Sequence, residues 1–160
     1  MTELQVQKAL YFWLSEKGHS CITPNKVMNF GEADMISITR SDYLYEFEIK
    51  CNRPDFLNDK KKSKKHIFYS RQMGESKTAR CMHIPNKFFY VCDVSIASPV
   101  EIPAHAGFIR IKMRDNGFID FDKAVEAPLL HSGKVDARDL GDIAQSLSAK
   151  VFKRLGNVLE

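Results

Sequence analysis

Residues 43–50 read Tyr-Leu-Tyr-Glu-Phe-Glu-Ile-Lys. Successive side chains on a strand point to opposite faces. Tyr43, Tyr45, Phe47 and Ile49 therefore share one face, and Leu44, Glu46, Glu48 and Lys50 share the other. A helical period would mix the two sets. Such a strand needs a sheet whose one face can bury an aromatic row. Further on, Lys87 to Cys92 (Lys-Phe-Phe-Tyr-Val-Cys) is nearly all apolar, the pattern of a central strand covered on both faces. At 160 residues, 44% hydrophobic and 28% charged, the chain suits one domain over 1–160 and excludes a disordered tail or a fibrous repeat.

The remaining elements follow from local signals. Thr2 can cap a helix running to about Lys17 and ended by Gly18. Its apolar stripe is Val6, Leu10, Trp13 and Leu14, with Glu3 at the top of the same face. Short strands are expected at Val27 to Phe30 and Ala33 to Thr39. Arg40-Ser41-Asp42 is a tight turn, so Ala33–Thr39 and Tyr43–Lys50 should pair as an antiparallel hairpin. Pro54 can open a helix over about Asp55 to Tyr69. Gln72 to Asn86, with Gly74, Glu75, Ser76, Lys77 and Thr78, reads as a loop and the best candidate for a mobile segment. Phe108 to Met113 and Phe118 to Phe121 flank the hairpin signal Asp115-Asn116-Gly117. The C-terminal helix is expected over about Ala137 to Leu155, with Leu140, Ile143, Ala144, Leu147, Val151 and Leu155 as its buried stripe. The order predicts an α/β sandwich around a mixed sheet.

The longest apolar run, Ala9 to Leu14, is far short of the roughly 20 residues that cross a bilayer. The start lacks a basic, apolar leader, and Cys21, Cys51, Cys81 and Cys92 contain no Cys-x-x-Cys, so a cytoplasmic setting with reduced thiols is expected. Net charge is +4, but its distribution is uneven. Residues 50–80 hold ten basic and three acidic side chains, which leaves that segment at +7 and the rest of the chain at −3. One basic patch on a slightly acidic body points to a polyanionic partner, above all nucleic acid.

Asp34 stands near the start of an otherwise apolar strand, where an unpaired carboxylate is expensive. If its strand pairs with 43–50, Asp34 falls beside Glu48 to Lys50. Two carboxylates meeting at a strand end make an oxygen-rich site suited to Mg²⁺ or Mn²⁺. The backbone carbonyl of Ile49 could supply a third ligand. Lys50, one strand period from Glu48, could orient water or stabilise charge on a phosphoryl group.

Asp34, with Glu48-Ile49-Lys50 beginning fourteen positions on, resembles the PD-(D/E)XK nuclease superfamily. The stretch Glu48 to Lys60, with Pro54-Asp55-Phe56 and Asp59-Lys60, is more specifically similar to the MmcB-like branch of bacterial DNA-repair proteins. Phe89-Tyr90-Val91-Cys92 and Pro103-Ala104-His105-Ala106-Gly107-Phe108-Ile109 resemble that branch too. The resemblance covers roughly 3–125. It departs from the pattern in having Glu32-Ala33, not a proline, before Asp34. It implies a restriction-endonuclease-like α/β/α core in αβββαβ order, about residues 2–125, plus a C-terminal hairpin and helix. It also implies a metal-dependent endonuclease acting on DNA in repair, recombination or phage DNA processing. Asp34, Glu48 and Ile49 would hold Mg²⁺ (or Mn²⁺), Lys50 would position water, and Glu3 would complete the outer shell. Asp59 and Lys60 would stand above the site.

Of the lysines beyond Pro54, Lys61, Lys64 and Lys65 share a helix face at spacings of three and four. With Arg53 and Lys60 they are the expected contacts to a phosphate backbone, which give affinity without sequence information. No base-reading signature occurs, so structure or end recognition is expected. A catalytically silent DNA-binding module of the same fold and an RNA endonuclease are the alternatives. Cutting both strands would call for sequential nicks or a homodimer, or for a larger DNA-processing complex.

Overall fold

The structure, a computed structural model, describes residues 1–73 and 84–156. The segment containing Gly74 to Thr78, read above as a loop, lies outside them, as do Lys77 and Arg80 of the basic stretch and Cys81. Among the described residues the order is α1 (Glu3–Glu16), β1 (Ser20–Met28), β2 (Gly31–Ile38), β3 (Leu44–Ile49), α2 (Arg53–Lys60), α3 (Ser63–Gln72), β4 (Lys87–Asp93), β5 (Ala106–Met113), β6 (Ile119–Val125) and α4 (Ala137–Gly156). The six strands form one sheet in sequence order, β1 to β6. β1, β2 and β3 run as an antiparallel meander. β4 lies parallel to β3, and β5 parallel to β4. β6 returns antiparallel to β5. The sheet is therefore mixed, as expected. No helix of the described residues is long and apolar enough to cross a membrane.

The alternation in β3 sorts the core into two. On one face Phe47 and Ile49 join Met35, Phe89, Val91, Ile109 and Ile111, and Val6, Leu10 and Leu14 of α1 cover them. On the other, Phe88, Tyr90, Cys92 and Phe108 pack with Phe56 of α2 and Tyr69 of α3. Ile143 of α4 covers Met28, Ile36, Ile38 and Leu44. β4 is apolar on both sides because both sides are covered: Phe88 to Cys92 are all buried. A capping box holds the start of α1. The Gln5 N–H donates to Thr2 Oγ1 at 3.3 Å, and the Thr2 N–H donates to Gln5 Oε1 at 2.8 Å.

Three expectations need correction. The strand expected at Val27 to Phe30 begins at Ser20, because β1 pairs the whole length of β2 through an irregularity between Ser20 and Thr23. The helix expected over Asp55 to Tyr69 is two helices. Tight turns from Lys61 N–H to Asn58 O (3.1 Å) and from Lys62 N–H to Asp59 O (2.8 Å) close α2, and Lys62 then leaves helical geometry with ψ 67°. A continuous helix would stack Lys60 on Lys64 and Lys61 on Lys65, like charges at i,i+4. The break relieves that and turns Lys65 inward. Finally, only part of the α4 stripe is buried: Ile143 is, while Leu140 and Val151 are exposed.

Candidate active site

The two halves of the site meet where β2 and β3 part. Their last paired residues are Met35 and Phe47. One residue beyond on β2 and two beyond on β3, the Ile49 N–H donates to Asp34 Oδ2 at 2.6 Å, so a side-chain carboxylate takes the place of a ladder carbonyl. β3 stays attached to β4 on its other side, through Lys50 N–H to Val91 O at 3.0 Å. Asp34 is thus wedged into a fork between strands. Burial, then the charge of Glu48, with Glu3 adding to them, pushes its carboxyl up to about 7 against the opposing pull of the Ile49 N–H and of Lys50. Glu3, exposed in the first turn of α1, is tied in through Gln7. The Gln7 Nε2 group donates to Glu3 Oε1 (3.1 Å), to Asp34 O (3.0 Å) and to Asn25 Oδ1 (3.2 Å).

The even face of β3 carries the charges. Glu46 and Glu48 are buried, and so is Lys50 beyond the strand's end. Lys50 Nζ donates to Glu48 Oε1 at 2.8 Å, and Lys65 Nζ to Glu48 Oε2 at 3.0 Å. Lys65 Nζ also lies 2.7 Å from Glu46 Oε1, and the Tyr69 hydroxyl donates to Glu46 Oε2 at 2.8 Å. Buried Asp59 accepts from the Tyr90 hydroxyl at 2.7 Å. Its other oxygen, Oδ1, lies 2.7 Å from Lys62 Nζ and 3.8 Å from Lys50 Nζ. Three acids thus meet three lysines, the condition on which buried charge is tolerated. Burial alone would drive Lys50 and Lys65 toward neutrality, but the facing carboxylates outweigh it and keep both ammonium groups charged. Burial alone would raise Asp59, yet bonds from His66, Lys62 and Tyr90 hold it well below the usual carboxylate range.

No known protein family matches the chain, and no curated protein does. Among solved structures it is similar to a protein of unknown function from Silicibacter pomeroyi, with 16% identity, 92% of this chain and 84% of that chain covered, and a TM-score of 0.53. At that identity the likeness is one of fold, a mixed α/β architecture.

The structure thus brings Glu3, Asp34, Glu48, Ile49 and Lys50 to one end of the sheet. It does not assemble the expected basic face. Lys65 is buried between Glu46 and Glu48, so it cannot lie against a phosphate backbone beside Lys61 and Lys64. Lys61 and Lys64 are exposed but belong to different sides of the helix break. Arg53 donates to Ile96 O at 2.7 Å and is ion-paired with Glu101, while Lys60 Nζ donates to Glu101 O at 3.0 Å. Both are occupied in bracing α2 to the β4–β5 connection.

Sequence reading missed a histidine pair. The Nδ1 of His66 lies 3.0 Å from His105 Nε2, and its Nε2 lies 3.0 Å from Asp59 O. Burial, with His66 and Lys65 nearby, lowers His105 to about 4, so it is neutral at pH 7.

The donor chemistry fits a divalent cation. Burial first, and the charges of Glu48 and Glu3 after it, press Asp34 toward its neutral form, and a cation would relieve the repulsion between the carboxylates. They are not drawn into a ligand cage: among the described residues no group of three or more His, Cys, Asp or Glu is assembled to hold a metal ion. Glu48 would have to exchange a lysine for the ion.

Proposed function

We propose that this chain is a metal-dependent nuclease of the PD-(D/E)XK type that hydrolyses DNA phosphodiester bonds in repair, recombination or phage DNA processing. The observation that carries the reading is the fork between β2 and β3, with Asp34 bonded to the Ile49 N–H and Glu48 and Lys50 on the strand beside it. The order of one helix, three antiparallel strands, a helical segment and a parallel strand supports it.

Asp34, Glu48 and the Ile49 carbonyl would hold Mg²⁺ or Mn²⁺, with Glu3 in the outer shell; the ion supplies Lewis-acid neutralisation of phosphoryl charge. Lys50 stays an ammonium, so it acts by donating hydrogen bonds to water or to a phosphoryl oxygen and not as a base. In the hydrolysis a water oxygen bonds to phosphorus, its proton passes to solvent, the phosphorus–sugar oxygen bond breaks, and the departing oxygen is protonated. Lys61 and Lys64 remain the exposed lysines of the expected backbone contacts.

One observation favours a second reading, a catalytically silent DNA-binding module: both oxygens of Glu48 carry lysines. A labelled panel of single strand, duplex, flap, gap and four-way junction, with Mg²⁺, Mn²⁺ or EDTA, separates the two. The nuclease reading expects metal-dependent products that vanish in Asp34→Ala and Lys50→Ala while binding persists. No cleavage of DNA, with equal binding by all three proteins, would replace it with the binding module. Cleavage of RNA alone would move the substrate class.

A further inference from the structure

Lys62 is not among the expected contacts to a phosphate backbone, yet it has the most informative position of the run. It closes the break between α2 and α3, where its N–H donates to Asp59 O at 2.8 Å. Its side chain folds back over the same residue: Nζ lies 2.7 Å from Asp59 Oδ1 and 3.8 Å from Glu48 Oε1. The side chains beneath it are buried, with exposures of 0% for Asp59 and 5% for both Glu48 and Lys50, whereas that of Lys62 is 56% exposed. Lys65, the third lysine on these carboxylates, is also buried. Lys62 alone among the three therefore connects the site to solvent.

Its contact with Asp59 is an ion pair, with Nζ 2.7 Å from the buried Oδ1. An ammonium has three donors, so Lys62 is held in place by one while others remain for a ligand. Asp59 is fixed in turn from below: the Tyr90 hydroxyl donates to Oδ2 at 2.7 Å, and His66 grips both its carbonyl (3.0 Å) and its carboxylate (3.5 Å). Anchored carboxylate, tethered lysine and open donors form a device for presenting one positive charge beside Glu48 and Lys50.

We propose that Lys62 donates to a non-bridging oxygen of the reacting phosphate, and that Asp59, locked by Tyr90 and His66, is the residue that positions it. This rests on the nuclease reading above. The ammonium neutralises charge that develops on the phosphoryl oxygens and exchanges no proton. Other lysines of the run give affinity; Lys62 gives rate.

The test is single-turnover cleavage of the best-cut DNA from the panel, in Mn²⁺ with protein in excess, together with the salt dependence of binding in EDTA. Wild type is compared with Lys62→Ala, Asp59→Asn and, as a charge-matched control, Lys134→Ala, whose Nζ lies over the Tyr43 ring just before the start of β3; circular dichroism checks each fold. Lys62→Ala is expected to lose about 100-fold in rate, the scale of one transition-state donor. Its affinity should fall less than about tenfold, with the salt slope reduced by about one. Asp59→Asn should slow cleavage while keeping the wild-type salt slope, because the charge is retained and only its placement is lost. Lys134→Ala should cut like wild type. If Lys62→Ala cuts within about threefold of wild type, the role of Lys62 is wrong and the nuclease stands. If wild type cuts none of the panel, the nuclease reading fails and this inference falls with it.

Discussion

A lysine turned inward decides the energetics of this site. Lys65 neutralises Glu46 and Glu48 at once, 2.7 Å and 3.0 Å from their oxygens. Removing one partner of a buried pair leaves the other charge uncompensated, at a cost of about 3–5 kcal/mol. Lys65→Met should therefore lower unfolding free energy by about that much in urea titrations. Adding Glu46→Gln should return part of it, and additive losses would contradict the pairing. The strand period alone places Glu46, Glu48 and Lys50 on one face, and the apolar surroundings of Asp34 mark it as costly, so the carboxylates of the site were legible in the sequence. The inward turn of Lys65 was not. A lysine among lysines reads as a solvated face, and which member points inward depends on where the helix breaks, a tertiary outcome. The pairing of His66 with His105 was missed for the same reason.

Among the elements, the α2–α3 break and the central strands matter most. Asn52 caps α2 by accepting from the Asp55 N–H at 2.9 Å; Asn52→Ala should cost about 1 kcal/mol. Gly107, in β5, lies so close to its neighbours that a Cβ there would stand 2.4 Å from Phe89 Cδ1 and 2.7 Å from the Ala127 backbone nitrogen. Gly107→Ala must displace a core ring or backbone, so a loss of about 1–3 kcal/mol is expected, read as a drop in Tm. An unchanged Tm would mean the sheet yields there at no cost. Alternation and turn signals located β2, β3, β4 and the β5–β6 hairpin, although β6 runs on to Val125 beyond the expected Phe121. β1 was cut short because Cys21 and Asn25 adopt positive φ, and Pro24 interrupts the pattern, so its first half lacks the signature of a strand. On α4 the apolar period was real, but periodicity states which face is apolar, not how much of it finds a partner.

At the scale of the whole molecule, buried His105 and half-buried Asp34 pull stability in opposite directions with pH. His105 titrates near 4 in the fold and near 6.5 when unfolded. The unfolded chain therefore binds the extra proton between those values, and stability is lost as pH falls from about 6.5 to 4. Asp34 titrates near 7 in the fold and near 3.9 unfolded. Here the folded chain holds the extra proton, so stability is lost as pH rises from about 4 to 7. Asp34→Asn mimics the neutral acid and should match wild type near pH 4. At pH 8 it should be more stable by up to about 4 kcal/mol, measured by thermal melts in EDTA. Equal stability at both pH values would show that Asp34 is not pressed by its neighbours. A group that costs the fold near neutral pH is the natural target for testing the proposed chemistry.

That trade makes Asp34→Asn the sharpest probe of the whole account, because loss of activity could not be blamed on loss of fold. The measurement is single-turnover cleavage of labelled DNA in Mn²⁺ at pH 8 by wild type and Asp34→Asn. Cleavage by wild type, and a loss of at least about 1,000-fold in the better-folded variant, is the predicted result. Cleavage by both at similar rates, or by neither on any DNA of the panel, would contradict it.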